Sequence, residues 1–149
     1  MLNFSLRKAD KNDLAKIKSL VRETGINPMG LDWQRFIIAE TEGNIFTGCG
    51  QLKTHSHGVL ELASIADVPK YQGQGLGKII ITYLLKQAPR PLYLTCRDKL
   101  GSYYQQFGFR VVENENELPS YFLRLRKLAG LFFSLKLVDA KMLVMVIEK

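Results

Sequence analysis

Residues 67 to 78 read Asp67-Val68-Pro69-Lys70-Tyr71-Gln72-Gly73-Gln74-Gly75-Leu76-Gly77-Lys78, with three glycines at alternate positions. A strand-like run (residues 59–67) precedes the glycines, and an apolar, helix-like run (residues 78–88) follows them. A turn that ends a strand and opens a helix leaves several backbone N–H groups without intrahelical partners and pointing one way. With the positive end of the helix dipole, these groups make a seat for a phosphate or a diphosphate. Glycine suits such a turn because a Cβ would block close approach of the anion and many of the backbone angles. The first chemistry expected of this chain is therefore to hold a phosphate-bearing cofactor.

Spacing separates three kinds of glycine-rich loop. A P-loop needs Gly, four residues, Gly-Lys and then Ser or Thr. Here Gln72 stands where the first glycine belongs and Ile79 where the hydroxyl belongs. A dinucleotide fingerprint needs G-x-G-x-x-G and an acidic residue some 20 positions on. Here the third glycine comes one position early, at Gly77, and Asp98 follows Arg97 in a loop-like stretch. The pattern that fits is Gln/Arg-x-x-Gly-x-Gly/Ala, matched at Gln72, Gly75 and Gly77. On that motif the chain resembles the GNAT family, the Gcn5-related N-acetyltransferases. Val68-Pro69 precedes it as often in that family, and Tyr104-Gln105-Gln106-Phe107-Gly108-Phe109 is similar to the family's Tyr-x-x-x-Gly-Phe. These features span residues 59 to 112, and the opening Leu6-Arg7-Lys8-Ala9-Asp10 also resembles a GNAT start.

The resemblance implies transfer of an acetyl group from acetyl-CoA, as co-substrate, to an amine. It implies that Gln72 belongs to the cofactor-binding set and that the backbone N–H groups of Gly73, Gln74, Gly75, Leu76, Gly77 and Lys78 bind the diphosphate. The backbone of Ile65, Ala66 and Asp67 is expected to pair with the pantetheine arm, with a bulge freeing an N–H, that of Ile65, for the thioester oxygen. Asp67 departs from the apolar residue usual there, and an anion beside phosphates weakens affinity unless it points away. Tyr104 matches the family tyrosine near the cofactor sulfur, in a role that serves both cofactor binding and catalysis; a phenol with an ordinary pKa near 10 is a proton donor at neutral pH. The alternative for Tyr104 is packing on the core. Glu61 lies eleven residues before Gln72, where histone-type members carry the glutamate that deprotonates the amine. Its alternative is a solvated edge glutamate. Arg97 replaces a frequent Asn, which puts one usual pantetheine contact in doubt.

Other residues that could do chemistry are weaker. His55 and His57 lack a carboxylate or cysteine at ligand spacing, so a turn before the central strand explains them and no metal site is expected. Cys49 and Cys96 are too few for a disulfide framework and read as free thiols in a reducing, cytoplasmic setting. An acetyl-cysteine route through either is disfavoured, since neither has an evident His partner. Residues 24–36, with one large aromatic at Trp33, are expected to line the acceptor or to be structural. No residue there chooses among a small-molecule amine, a peptide N-terminus and a lysine.

The elements that must position these residues follow from periodicity. Residues 4–7 alternate as a first strand. A helix capped by Asp10 or Asn12 carries Leu14, Ile17, Leu20 and Val21 at helical spacing and stops at Gly25. Residues 36–40 and 45–52 form two strands joined by a hairpin at residues 41–44. Residues 59–66 form the central strand, and residues 79–85 the helix after the glycine loop. Residues 92–95 form a strand, residues 102–107 a short helix closed by Gly108, residues 109–112 the start of another strand, and residues 142–147 the last. The fold class is α/β (α+β): a GNAT-like mixed, mostly antiparallel central sheet of about six to seven strands with helices on both faces, in a single domain over residues 1–149.

An added segment at residues 119–136 puts Tyr121, Leu125, Leu128 and Phe132 on one helical face, with Arg124, Arg126 and Lys127 mostly elsewhere. It has three readings: packing on the sheet, a homodimer or acceptor role, and attachment to a membrane surface. The net charge of +7 favours anionic partners in general. With no aromatic-interleaved basic stripe, nucleic acid is not expected. Residues 128–135, the most apolar stretch, are about half the length needed to span a bilayer, and the N-terminus lacks a signal-peptide core. The rival to an enzyme is a non-catalytic acyl-CoA-binding or interaction module, which would keep the glycine loop and need neither Glu61 nor Tyr104.

Overall fold

A computed structural model describes residues 2–149. Seven strands hydrogen-bond in the order β1-β2-β3-β4-β5-β7-β6: β1 (Ser5–Lys8), β2 (Phe36–Thr41), β3 (Ile45–Thr54), β4 (Leu60–Asp67), β5 (Leu92–Arg97), β6 (Arg110–Val111) and β7 (Met142–Ile147). The α-helices are α1 (Leu14–Thr24), α2 (Leu76–Gln87), α3 (Gly101–Gln105) and α4 (Ser120–Ser134). The sheet is mixed, since β4 pairs in parallel with β5 while β1–β2, β2–β3, β5–β7 and β6–β7 are antiparallel. Among the described residues no helix is long and apolar enough to cross a membrane.

The chain divides into two compact units, with the division falling inside β4. The first holds residues up to Lys53 together with Leu62–Ala88. Its helices cover opposite faces of β3, as neighbouring side chains show. Cys49 packs with Ile17, Leu20 and Val21 of α1, together with Ile38 and Ala66. A Cβ on the adjacent Gly50 would lie 2.7 Å from Ile65 Cδ1 and Ile80 Cγ2, and 3.2 Å from Leu84 Cδ1 of α2. Successive residues of a strand point to opposite faces, so α1 lies on the Cys49 side and α2 on the Gly50 side. The missing side chain at Gly50 lets α2 sit close enough to bury Leu76, Ile80, Ile81 and Leu84, at roughly 1.5–3 kcal/mol each. Arg7 ties β1 to the start of α1 and to β2, donating to Asp13 at 2.7 and 2.8 Å and to Glu40 at 2.9 Å. The Asp13 carboxyl is held below its ordinary range chiefly by the Arg7 hydrogen bond.

The second unit holds Thr54–Glu61 and Pro89–Lys149. Phe122 of α4 packs with Leu118, Val112, Val144 and Val146, and with Val59 and Tyr93. A Cβ on Gly101, at the start of α3, would meet Leu143 Cδ1 at 2.9 Å. Leu143 and Val144 alternate along β7, so α3 and α4 also lie on opposite faces. The added helix forms over the expected stretch, and of the expected face Tyr121 packs against the Phe122 cluster and Leu125 is half-buried. Phe122 is its buried residue, whereas Leu128 and Phe132 are exposed. Only its first turns reach the core.

Candidate functional site

The glycine loop ends β4 and opens α2 as the sequence pattern requires. Its entry is anchored by the Val68 N–H to the Thr47 carbonyl at 2.8 Å and by buried Tyr71, whose ring meets Phe4 edge-on at 6.3 Å. Gly73 and Gly75 have φ of +77° and +81°, and a Cβ on either would project into open space. Gly75 caps α2. Ile79 bonds back to the Gly75 carbonyl at 3.2 Å, so the N–H groups of Leu76, Gly77 and Lys78 lack partners within the helix. Gln72, Gly73, Gln74, Gly75 and Lys78 are exposed and Leu76 is buried. Gln72 braces the loop, its Nε2 donating to the Asp67 carbonyl at 3.2 Å, and Gln74 Nε2 reaches the Lys70 carbonyl at 3.5 Å.

Asp67 does not point away from this array. Its carboxyl accepts the Gly77 N–H, and burial pushes its pKa above the usual carboxylate range against the pull of that bond. Oδ1 has no partner among the described residues and packs 3.2 Å from where a Cβ on Gly48 would stand. Two of the loop's donors are thus engaged by the chain itself, the Gly77 N–H by Asp67 and the Gln72 N–H by the Pro69 carbonyl at 3.3 Å.

In β4, Ser64 adopts φ of +57°, a left-handed residue inside a strand and one position before Ile65. Two bonds hold it: Gln51 Nε2 donates to Ser64 Oγ at 2.9 Å, and Cys49 Sγ reaches the Ser64 carbonyl at 3.6 Å. Gln51 Nε2 also meets the Gly30 carbonyl at 3.3 Å, and buried Lys53 donates to the Met29 carbonyl at 2.7 Å. The loop before β2 is therefore tied to β3. Within it Ile26, Leu31 and Trp33 pack against the α1 cluster, which is the structural alternative for Trp33.

The second unit places Glu61 and Tyr104. Glu61 is only 5% exposed, and its Oε1 bonds His55 Nε2 at 2.8 Å. The reading of Glu61 as a solvated edge residue is overturned. Residues 55–59 make a tight turn, closed by the His55 N–H to the Val59 carbonyl at 2.7 Å, with His57 at φ +62°. That turn carries His55 back to Glu61, and sequence spacing offered no sign of it. The His55 ring stacks on Tyr121 at 3.8 Å. Tyr104 is half-buried on α3, edge-on to Tyr103 at 5.2 Å and to buried Phe109 at 6.2 Å.

The remaining candidates are quiet. Burial pushes the Cys49 thiol up to about 12 and the Cys96 thiol up to about 11, so neither is a thiolate at neutral pH. Among the described residues no group of three or more His, Cys, Asp or Glu side chains could hold a metal ion.

A family model described as an acetyltransferase (GNAT) domain matches residues 32–111. Among solved structures, the chain is similar to N-acetylglutamate synthase from Neisseria gonorrhoeae complexed with coenzyme A and L-arginine, at 22% identity and a TM-score of 0.73. That match covers 98% of this chain and 34% of the other, so the chain spans about a third of the synthase's length. It is also similar to a Mycobacterium tuberculosis protein in complex with CoA, at 20% identity and a TM-score of 0.72, covering 97% and 99% of the two chains. A third similar structure is the ribosomal-protein-S18-alanine N-acetyltransferase from Escherichia coli, at 16% identity, a TM-score of 0.65 and coverage of 98% and 94%.

Proposed function

The chain belongs to the GNAT acetyltransferase family, and on that premise we propose that it moves the acetyl group of acetyl-CoA to a primary amine by direct transfer in a ternary complex. The observation that carries this reading is the row of first-turn N–H groups at the start of α2, next to two left-handed glycines that face open space. Such an array favours an anion through hydrogen bonds and the helix dipole together. The backbone of Gly73, Gln74, Gly75, Leu76 and Lys78 holds the diphosphate, and the Gln72 and Gly77 N–H groups join when the Pro69 carbonyl and Asp67 release them. Ile65, Ala66 and Asp67 pair with the pantetheine arm, and the irregularity at Ser64 aims the Ile65 N–H at the thioester oxygen.

Transfer then needs two proton movements. Glu61 removes a proton from the ammonium, leaving the nitrogen lone pair to attack the thioester carbon. As the C–S bond breaks, the Tyr104 hydroxyl protonates the departing thiolate. The acceptor is a small-molecule amine, a peptide N-terminus or a lysine. Titration with acetyl-CoA, followed by thiol release against a panel of such amines, tests the reading. Binding without turnover would favour a non-catalytic acyl-CoA-binding module.

Two variants probe the assignments. Glu61→Gln keeps the size of the side chain but cannot take a proton, so turnover should fall roughly 10²-fold with acetyl-CoA binding unchanged; an unchanged rate removes Glu61 from the mechanism. Asp67→Asn keeps an acceptor for the Gly77 N–H while removing an anion beside the phosphates. It should tighten acetyl-CoA about tenfold, near 1.4 kcal/mol. Calorimetry showing weaker binding would mean that the carboxylate serves the coenzyme.

A further inference from the structure

Buried Glu61 and half-buried His55 form a pair that the reaction outlined above leaves half used. A carboxylate out of water needs a donor, and here it is His55 Nε2 at 2.8 Å from Oε1. A carboxylate that is to act as a base only accepts, so in that role the bond needs the hydrogen on Nε2. We propose that His55 is a positioning residue for removal of the amine proton: its Nε2–H anchors one oxygen of Glu61 so that the other is presented to the ammonium. This rests on the reading of Glu61 as the base. In the step, the ammonium N–H bond breaks and its electron pair stays on nitrogen. The proton bonds to Oε2 of Glu61 and later passes to water.

The surroundings hold the ring rather than merely touch it. Tyr121 stacks on it at 3.8 Å with the planes 20° apart, and Phe122 meets it edge-on at 5.7 Å. Phe122 stacks in turn on Tyr93 at 5.1 Å, and Tyr93 is paired with Glu61 across the β4–β5 register. The imidazole is thus clamped by α4 and by the turn at residues 55–59. The other titratable groups around the pair are Tyr121 from α4 and Tyr93 from β5. Burial pushes both phenols up, the charge of Glu61 adding to this at Tyr121, so neither contributes a second anion at neutral pH. This gives the added helix a task in the reaction, since its first turn supplies the clamp.

The test compares His55→Leu with His55→Gln. Leucine fills much of the space and has no donor, whereas the glutamine amide can donate to the same oxygen. His55→Leu should lower kcat about tenfold or more while KM for acetyl-CoA stays unchanged, and His55→Gln should restore most of the loss. Parent-like turnover in His55→Leu overturns the inference, as does an equal loss in both variants, which would make the ring packing only. A second readout leaves position 55 intact. The parent should show an exchange-protected imidazole N–H resonance in NMR, retained in His57→Asn and lost in Glu61→Leu. Its absence from the parent also overturns the inference. Failure of the parent to acetylate any amine of the panel sinks the acetyl-transfer reading itself, whereas parent turnover with an indifferent His55→Leu sinks only the role of His55.

Discussion

Valine in place of Gly75 should weaken acetyl-CoA binding roughly 10²-fold or more, measured by calorimetry. Gly75 sits at φ +81° as the cap of α2, a conformation that a β-branched residue resists. Nothing in the folded protein lies within 4 Å of the added Cβ, so strain rather than a clash drives the change. The backbone must rotate to relieve it, and the N–H groups on either side turn with it. Losing two bonds to a charged diphosphate costs about 3–6 kcal/mol, at roughly 1.5–3 kcal/mol each. Gly25 provides the control: it ends α1 at φ +71° with equally open space around it. Gly25→Val should lose comparable stability without losing affinity. If both variants bind acetyl-CoA like the parent, the anion seat at the α2 N-terminus is refuted.

Tyr104→Phe should lower turnover by roughly 10²-fold while the Kd for acetyl-CoA stays within about threefold. The substitution keeps the ring and its edge-on contacts with Tyr103 and Phe109, so the core near α3 is preserved and only the hydroxyl is lost. Without it the thiolate leaves unprotonated, or takes its proton from water at a higher barrier. Tyr103→Phe, one residue earlier on the same helix, should leave the rate unchanged. Equal rates in parent and Tyr104→Phe would reduce Tyr104 to a packing residue.

The elements and the glycine loop were readable because local rules govern them. Glycines at positions 73, 75 and 77 mark a turn whose geometry depends on backbone alone, and β7 and the helix after the loop follow from plain apolar runs. The neighbours of Glu61 were not readable. Its partner lies six positions away and is returned by a turn that depends on His57 taking a left-handed angle, a conformation that composition does not announce. The inner face of α4 is only half legible for a related reason. Periodicity marked Leu128 and Phe132, but the helix outruns the surface it packs on, and only Phe122 near its start is buried. The Asp67 carboxyl was expected to matter for its charge. The structure instead buries it against the position of Gly48 and turns it to the Gly77 N–H, a long-range arrangement invisible in a local motif.

One side chain, Gln51, touches both the carbonyl of Gly30 and the hydroxyl of Ser64. Two stretches that look modular in the alphabet of the chain are consequently inherited together. Anyone grafting a foreign segment over residues 25–32 to retune selectivity would have to transplant position 51 along with it, or accept a disturbed kink in the neighbouring strand.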